Sequence, residues 1–224
     1  MTSQDPGYHS LVRTFSARRG RVGPVNRARL DTLGPQRAVP PGRLDPLRTF
    51  GRTAPLVLEV GCGHGEAAIA YAVSHPGHDV VAIDVHTPGI ARMLAAAGAA
   101  QVANLRIEHS DAVLFLAERL GPASLDAVHL FFPDPWPKVK HAKRRFVGAQ
   151  TLDLLAVRLS ATGHMLLATD QAGYAAHARQ QVLAHGVFTV REVERPPWRP
   201  VVGFEAKART AGRPVTELRI ERPK

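Results

Sequence analysis

The fold of this chain is decided by the stretch Val57-Leu58-Glu59-Val60-Gly61-Cys62-Gly63-His64-Gly65-Glu66. The apolar run from residue 55 to residue 60 is short and rich in β-branched side chains, which is typical of a central strand in a parallel sheet. Glycines then occupy alternate positions, so the backbone can turn sharply and approach a bound group closely. A helix is expected to begin at Glu66. The stretch therefore predicts a strand, a tight turn and a helix, which together form one unit of an α/β fold.

The spacing of this turn bears on the group that it binds. Glu-x-Gly-x-Gly-x-Gly differs from the Gly-x-Gly-x-x-Gly spacing of dinucleotide-binding folds. A pyrophosphate favours a helix N-terminus without a carboxylate close by, whereas Glu59 immediately precedes this turn. That acid suits the ammonium and sulfonium of S-adenosylmethionine, which carries no phosphate. The motif therefore favours a methyltransferase, with Gly61 and Gly63 as cofactor contacts, over a nicotinamide dehydrogenase or a purely structural turn.

Composition and charge narrow the class of protein. At 224 residues, of which 45% are hydrophobic, the chain is long enough for one sizeable domain with additions. Cys62 is the single cysteine, so a disulfide framework is excluded and a reducing, cytoplasmic setting is expected. No apolar run suggests a membrane span or a signal peptide, and the histidines lack the paired spacing of metal ligands. The net charge of +10 favours a polyanionic partner without separating RNA from DNA.

Residues 1–53 differ in composition from the rest of the chain. They are rich in Arg, Gly and Pro, with clustered arginines between Arg13 and Arg29 and several prolines after them. This composition predicts a basic, extended and partly disordered N-terminal arm, and a leader without a function is the alternative. Residues 54–224 are predicted to form the globular domain.

From residue 54 onward, predicted strands and helices alternate. The strands cover residues 55–60, 80–84, 105–109, 125–132, 165–169 and 187–190. The helices cover residues 66–75, 87–97, 112–120, 146–159 and 171–185, and a Pro/Arg-rich excursion follows at 191–213. Repeated β–α units imply a Rossmann-like α/β fold with a mostly parallel sheet and helices on both faces. Residues 217–221 are predicted to add an antiparallel edge strand.

Acidic residues follow several of these strands. Ligands of open parallel sheets bind outside the carboxyl ends of the strands, where these acids would meet. The acids are Glu59, Asp84, Asp111, Asp134 and Asp170. Asp84 lies a little over twenty residues after the glycines, where an acid can accept both ribose hydroxyls of an adenosyl group. Asp111 could meet the adenine amine or could simply cap the helix that follows it.

The densest chemical signal is the segment from Phe131 to Arg145, Phe-Phe-Pro-Asp-Pro-Trp-Pro-Lys-Val-Lys-His-Ala-Lys-Arg-Arg. Its three prolines stiffen the turn that carries Asp134 and Trp136, which lowers the entropy cost of closing around a base. The cations after the turn suit phosphates, and a neighbouring aromatic ring suits base stacking. The segment predicts an RNA-binding site, and a solvated basic loop with a packed tryptophan is the alternative.

The same segment closely resembles the signature of the tRNA (guanine-N7-)-methyltransferases, the TrmB family of class I S-adenosylmethionine-dependent methyltransferases. Further pieces resemble this family in the same order along nearly the whole chain. They are Arg13-Thr14-Phe15 with Arg18-Arg19-Gly20-Arg21, the glycine turn, Ile83 to Gly89, Asn104-Leu105-Arg106 with Asp111-Ala112, and Ala168-Thr169-Asp170 with Tyr174. The resemblance implies that the protein forms 7-methylguanosine in the variable loop of tRNA.

The resemblance also implies roles for individual residues. Contacts with S-adenosylmethionine are implied for the acids Glu59, Asp84, Asp111 and Asp134, and Asp134 is placed close to the chemistry as the catalytic candidate. Lys138 and Asp170 are implied to contact the substrate. The residues implied to meet RNA are Lys140, His141, Lys143, Arg144 and Arg145.

One part of the family pattern fits poorly. Near the C-terminus the family shows Thr-x-Phe-Glu, which helps to hold the guanine, and the sequence places it on Thr216-Glu217-Leu218-Arg219 after Arg213-Pro214-Val215. An arginine offers only donors, whereas the guanine N1–H and N2 amino group need acceptors, so Arg219 cannot replace the family's glutamate. Glu217 or Glu221 could take its place if the register shifts. This departure keeps two alternatives open: an RNA-binding protein without catalysis, and a methyltransferase for another RNA, base or small molecule. Both a monomer and a homodimer are compatible with the sequence.

Overall fold

The computed structural model describes residues 11–15 and 21–223. The strands are β1 (Leu56–Val60), β2 (Asp79–Ile83), β3 (Leu105–Glu108), β4 (Leu125–Phe131), β5 (Leu159–Thr169), β6 (Thr189–Glu192) and β7 (Thr216–Glu221). The α-helices are α1 (Pro24–Arg37), α2 (Pro46–Phe50), α3 (Glu66–Ser74), α4 (Thr87–Ala99), α5 (Ala112–Leu114), α6 (Ala149–Arg158), α7 (Ala172–His185) and α8 (Gly203–Thr210). A π-helical turn, Phe115–Arg119, continues α5, and a 3-10 helix covers Val139–Arg144.

The strands form one sheet in the order β3-β2-β1-β4-β5-β7-β6. All pairs from β3 to β5 are parallel, and β7 is antiparallel to both β5 and β6. This arrangement confirms the Rossmann-like, mostly parallel fold of class I methyltransferases. The antiparallel strand lies one position in from the edge, because β6 pairs along its outer side. Residues 216–221 are therefore covered by a strand on each side.

Helices cover both faces of the sheet, as the alternation in β1 shows. Leu58 points into the core that includes α6 and α7. Its neighbour Val57 points the other way, into the core that includes α3 and α4. Glu59 shares the face of Val57, because side chains alternate along a strand. The glycine turn and the strand-end acids thus lie at one end of a sheet that is buried on both faces.

The N-terminal part differs from the extended arm that the sequence predicts. Residues 24–37 and 46–50 are helical, each helix starts at a proline, and the Asp45 carboxylate caps α2. Arg37 donates to the carbonyl oxygens of Ala97 and Val102 at the end of α4. No residue of α1 is buried. A helix without a buried face needs no apolar stripe, so the sequence gives little periodic signal for it. The prediction for residues 1–10 and 16–20 lies outside the described residues, and a domain boundary at residue 53 stays a prediction.

No helix within residues 11–15 and 21–223 combines the length and the apolar composition that crossing a bilayer requires.

Candidate active site

The glycine turn after β1 adopts the geometry that its spacing predicts. Gly61, Gly63 and Gly65 all have positive φ, at +70°, +57° and +83°, a region that costs other residues energy. The first helix turn of α4 also approaches this loop, since a Cβ on Gly89 would lie 2.5 Å from the Gly63 carbonyl oxygen. These glycines keep the mouth of the turn open and bring α4 against it.

Asp84 ties the end of β2 to this turn. One carboxylate oxygen accepts the backbone N–H of Gly63 at 2.7 Å, and the other accepts the N–H of His86 at 2.8 Å. The carboxylate lies in the wall of a cavity next to the turn. Each oxygen keeps a further lone pair for a ligand hydroxyl.

The cavity has a volume of about 340 Å³ and opens at the carboxyl ends of β1, β2 and β4. This size and position are typical of a small-molecule site in an open parallel sheet. Its wall is mostly apolar and is formed by Thr14, Phe15, Val60, Gly61, Gly63, Ile83, Asp84, Val85, His86, Ser110, Ala112, Leu130, Phe131, Phe132, Pro133, Asp134, Phe146 and Phe204. Two of these wall residues are aspartates, and none is a lysine or an arginine. Among residues 11–15 and 21–223, the wall thus contributes two acidic side chains and no lysine or arginine.

Asp134 stands at the rim of this cavity on a strained loop. The residues on either side of the Pro-Asp-Pro turn, Phe132 and Trp136, have φ of +52° and +42°, which is uncommon for aromatic residues. Arg145 holds the loop by donating to the carbonyl oxygens of Pro135 at 3.0 Å and Trp136 at 3.3 Å. Such strain is found where a structure fixes a functional group, and here it fixes Asp134.

Trp136 is packed, as in the alternative interpretation of this loop. The Arg144 guanidinium lies 3.7 Å from the centroid of its ring, and its indole N–H donates to the Thr14 carbonyl oxygen. Arg144 also donates to the carbonyl oxygens of Arg13 and Phe15. One face of the indole is covered, so base stacking there is not supported. The same contacts hold Thr14 and Phe15 in the cavity wall, a role that the sequence did not reveal.

The basic segment after the loop divides into two groups. The lysines at 138, 140 and 143 are exposed beside the site. Arg144 and Arg145 instead donate hydrogen bonds to backbone carbonyl groups. His141 lies against Trp136, with ring centroids 5.6 Å apart. Desolvation and then the neighbouring cations lower its pKa. The structure therefore leaves the lysines available to phosphates and assigns the two arginines to holding the loop.

Glu59 lies behind the glycine turn and is absent from the cavity wall. It is buried beside His129 of β4, with 4.0 Å between Oε2 and Nδ1. Desolvation raises the pKa of Glu59 to about 8 and lowers that of His129 to about 3. Burial therefore favours the neutral form of both side chains. Its side chain shares the sheet face that packs against α3, and its contact with the cofactor stays a prediction.

Two further predicted acids have partners of their own. Asp111 accepts the Val113 N–H at 2.8 Å as the N-cap of α5, while its neighbours Ser110 and Ala112 line the cavity. Desolvation raises the pKa of Asp111. Asp170 accepts a hydrogen bond from Arg213 at 2.8 Å, outside the cavity wall. The structure thus brings Gly61, Gly63, Asp84 and Asp134 together and leaves Asp111 and Asp170 at the margin.

Comparisons with known proteins agree with this geometry. Residues 53–218 match the sequence profile of a family described as "Putative methyltransferase". The tRNA (guanine-N(7)-)-methyltransferase of Thiobacillus denitrificans is 39% identical over 223 residues, which are 97% of this chain and 98% of that protein. The protein of the same name from Mycolicibacterium gilvum is 40% identical over 234 residues, which are 97% of this chain and 89% of that protein. The chain belongs to the tRNA (guanine-N(7)-)-methyltransferase family.

Solved structures with lower sequence identity share the fold of this family member. A precorrin-6y C5,15-methyltransferase from Geobacter metallireducens aligns with a TM-score of 0.55 at 12% identity, over 88% of this chain and 86% of its own. An rRNA methylase from Streptococcus thermophilus aligns with a TM-score of 0.51 at 14% identity, over 76% of this chain and 88% of its own. At these identities the likeness supports the methyltransferase fold alone.

In this member of the tRNA (guanine-N(7)-)-methyltransferase family, the residues to which the sequence assigned the C-terminal motif do not line the cavity. Thr216, Glu217, Leu218 and Arg219 belong to β7, outside the cavity wall, and Leu218 is part of the core. A second aromatic–acid pair, Phe204-Glu205, begins α8, and Phe204 lines the cavity while 66% exposed. The chain contains Arg-Pro-Val twice, at residues 199–201 and at 213–215. The first copy, followed by Val202-Gly203-Phe204-Glu205, fits the family's Thr-x-Phe-Glu with valine in place of threonine.

Proposed function

We propose that this protein transfers a methyl group from S-adenosylmethionine to N7 of a guanine in the variable loop of tRNA. One observation carries the proposal: the cavity joins the glycine turn and Asp84 on one side to Asp134 and Phe204 on the other. These are a cofactor end and a base end within one site. Membership of the family supplies the reaction class and the tRNA substrate.

The residues of the cavity fit S-adenosylmethionine better than a dinucleotide. A pyrophosphate would meet Asp84 and Asp134, and the described part of the wall offers no lysine or arginine to offset its charge. An ammonium and a sulfonium meet no such repulsion. Asp84 is placed to accept hydrogen bonds from ribose hydroxyls, and Ser110 and Ala112 border the adjoining end of the site. When bound, S-adenosylmethionine supplies an electrophilic methyl group.

The base end needs little acid–base chemistry. Guanine N7 carries an in-plane lone pair and requires no deprotonation, so the chain has mainly to align the base and exclude water. Phe131, Phe132 and Phe204 provide apolar surface for a flat ring. Asp134 is placed to accept hydrogen bonds from the base or from the cofactor ammonium. The buried position of Glu59 makes it a support for the turn rather than a direct ligand.

The exposed lysines 138, 140 and 143 are proposed to neutralise tRNA phosphates beside the site. They lie on the segment that follows the Asp134 loop, so phosphates bound there flank a base at Asp134. A tRNA substrate also agrees with the predicted cytoplasmic setting.

The non-catalytic alternative rested on Arg219 in the place of a guanine-binding glutamate. Residues 216–219 lie within the sheet and outside the cavity wall, whereas Phe204 lines the cavity, so the charge of Arg219 no longer argues against catalysis. An altered substrate would instead have to come from Val202 in the position of the family's threonine.

The test is methylation of unmodified tRNA transcripts by the purified protein, followed by nucleoside mass spectrometry. We expect 7-methylguanosine, mapped to the variable loop by fragment analysis, and none with a transcript in which that guanine is adenine. Binding of S-adenosylmethionine without methylation of any tRNA would favour the RNA-binding alternative. Methylation of a different base or RNA would overturn the proposed substrate.

A further inference from the structure

Arg199 connects three parts of the molecule beneath the base end of the cavity. Its side chain is 3% exposed and bridges two acids, Glu205 of α8 and Glu217 of β7. The Nε donates to Glu205 at 3.1 Å, and the two terminal nitrogens donate to Glu217, one of them at 3.0 Å. The guanidinium also lies 4.6 Å from the centroid of the Phe131 ring. A planar fork with several donors can make these contacts at once, and a lysine cannot.

Glu205 is held from three sides. Besides Arg199, it accepts hydrogen bonds from Arg195 at 2.6 Å and from Arg209 at 3.0 Å. Burial raises its pKa, but the three arginines outweigh burial and lower the pKa below the ordinary value. A buried carboxylate with this many partners has its position fixed by them. Its neighbour Phe204 is exposed in the first turn of α8, and the Lys207 ammonium lies 5.5 Å from the centroid of its ring.

We infer that Arg199 is a positioning residue that sets Phe204 and Phe131 for the target base. The inference rests on the proposed function and adds a residue that does not itself line the cavity. Arg199 joins the start of α8 to β7, a strand paired on both sides, so this end of the site is tied to the sheet. Removing the fork leaves Phe204 on a short helix whose first turn has lost that connection.

The variant Arg199→Lys keeps the charge and removes the fork. Because a displaced Phe204 loses its stacking contact with the base, and one such contact contributes about ten- to a hundredfold to binding, we expect the KM for tRNA to rise at least about tenfold. The Kd for S-adenosylmethionine should stay within about twofold, since the glycine turn and Asp84 are untouched. The matched control is Arg158→Lys, a buried arginine that donates to the carbonyl oxygens of Leu116 and Ala117 away from the cavity. It should lower Tm while leaving the KM for tRNA unchanged.

A double-mutant cycle separates positioning from general stability. If Arg199 acts through Phe204, then Arg199→Lys should add little to the KM in a Phe204→Ala background. Additive effects in this cycle would overturn the inference, as would an unchanged KM or an equal rise in the Arg158→Lys control. Should Arg199→Lys fail to fold, Glu217→Gln weakens the same bridge while keeping the Arg199–Glu205 contact. The same rise in KM is expected there, and its absence counts against the inference.

Hydrogen exchange gives a readout that does not depend on activity. In Arg199→Lys, amides of residues 203–210 should exchange faster, while those of residues 79–99 should keep the wild-type rate. Equal exchange in residues 203–210 would overturn the positioning role even in an inactive protein. A wild-type protein that methylates no tRNA would instead contradict the proposed function. Failure of the proposed function and failure of the positioning role are therefore distinguishable.

Discussion

Asp84 accepts the Gly63 backbone N–H at 2.7 Å, and this bond closes the glycine turn onto the end of β2. The turn follows β1, and β1 and β2 are parallel neighbours, so the bond joins two strand ends that the chain separates by a whole helix. The same carboxylate also accepts the His86 N–H. Asp84 therefore shapes the cavity before any ligand arrives and presents its charge to the ligand afterwards.

The change Asp84→Asn should weaken binding of S-adenosylmethionine at least about tenfold, the loss expected from one hydrogen bond to a charged group. An amide has one acceptor oxygen, so it cannot receive both backbone N–H groups, and it removes the negative charge. Calorimetry on the purified protein measures the effect. Asp45→Asn is the matched control, because Asp45 accepts the N–H two residues on, as Asp84 does, but on α2 outside the cavity wall. Equal affinity in Asp84→Asn and wild type would contradict the assignment.

The sequence was sufficient for features that depend on local patterns. The strand and glycine turn at residues 57–66, the strand-end position of Asp84 and the Pro-Asp-Pro loop follow from residue type and spacing, and the structure brings them to one cavity. Features that depend on burial could not be predicted from the sequence. Residue spacing does not distinguish a solvent-exposed arginine from Arg145, which donates a hydrogen bond to the backbone of its own loop.

The C-terminal motif shows a second limit. Two copies of Arg-Pro-Val compete, and only the second keeps a threonine, at residue 216, so the pattern favoured that copy. The position of the cavity favours the first copy, because residues 216–219 of β7 lie outside its wall and Phe204 lies in it. The sequence also did not reveal that Thr14 and Phe15 line the cavity. The segment 11–15 is short and lies far from the other wall residues in the sequence, so it gives no periodic signal.

Replacing Asp134 with alanine should collapse turnover while tRNA affinity stays close to wild type. The Asp134 carboxylate is exposed at the rim and accepts no hydrogen bond from the described residues. The loop is held instead by Arg145, which donates to the Pro135 carbonyl oxygen. We expect kcat to fall by about a hundredfold or more, as when an oriented polar group is removed from an active site. Single-turnover methylation and tRNA binding measured on the same preparation separate the two quantities. Near-normal methylation would rule out a role for Asp134 in the reaction.

The exposed lysines and the half-buried arginines should respond differently to salt. Changing Lys138, Lys140 and Lys143 together to alanine should weaken tRNA binding and reduce the slope of log K against log salt by about 2 to 3, since each phosphate contact contributes roughly one unit. Arg145→Ala should instead lower Tm and slow turnover with little change in slope, because its donors hold the Asp134 loop. Binding titrations across a range of salt concentrations measure both slopes. An unchanged slope in the triple variant would show that these lysines do not contact the phosphates.

The buried pair Glu59 and His129 predicts how stability depends on pH. The pKa of Glu59 is raised from 4.5 to about 8, so folding favours the protonated acid, and stability falls as pH rises between these values. The pKa of His129 is lowered from 6.5 to about 3, so its effect has the opposite sign and ends near pH 6.5. Between pH 6.5 and 8 the Glu59 effect acts without that opposition, so stability falls as pH rises and the fall levels off near pH 8. Urea unfolding at several pH values should show this fall in the free energy of unfolding.

The isosteric change Glu59→Gln should remove that slope and raise stability at pH 8, because the amide stays neutral in the folded and unfolded states. Glu66→Gln makes the same charge change at an exposed acid on α3 and should leave the slope in place. If the slope persists in Glu59→Gln, the acid is ionised in the fold and faces a cation or water. Glu59 would then be free to serve the cofactor ammonium directly, as the family resemblance first implied.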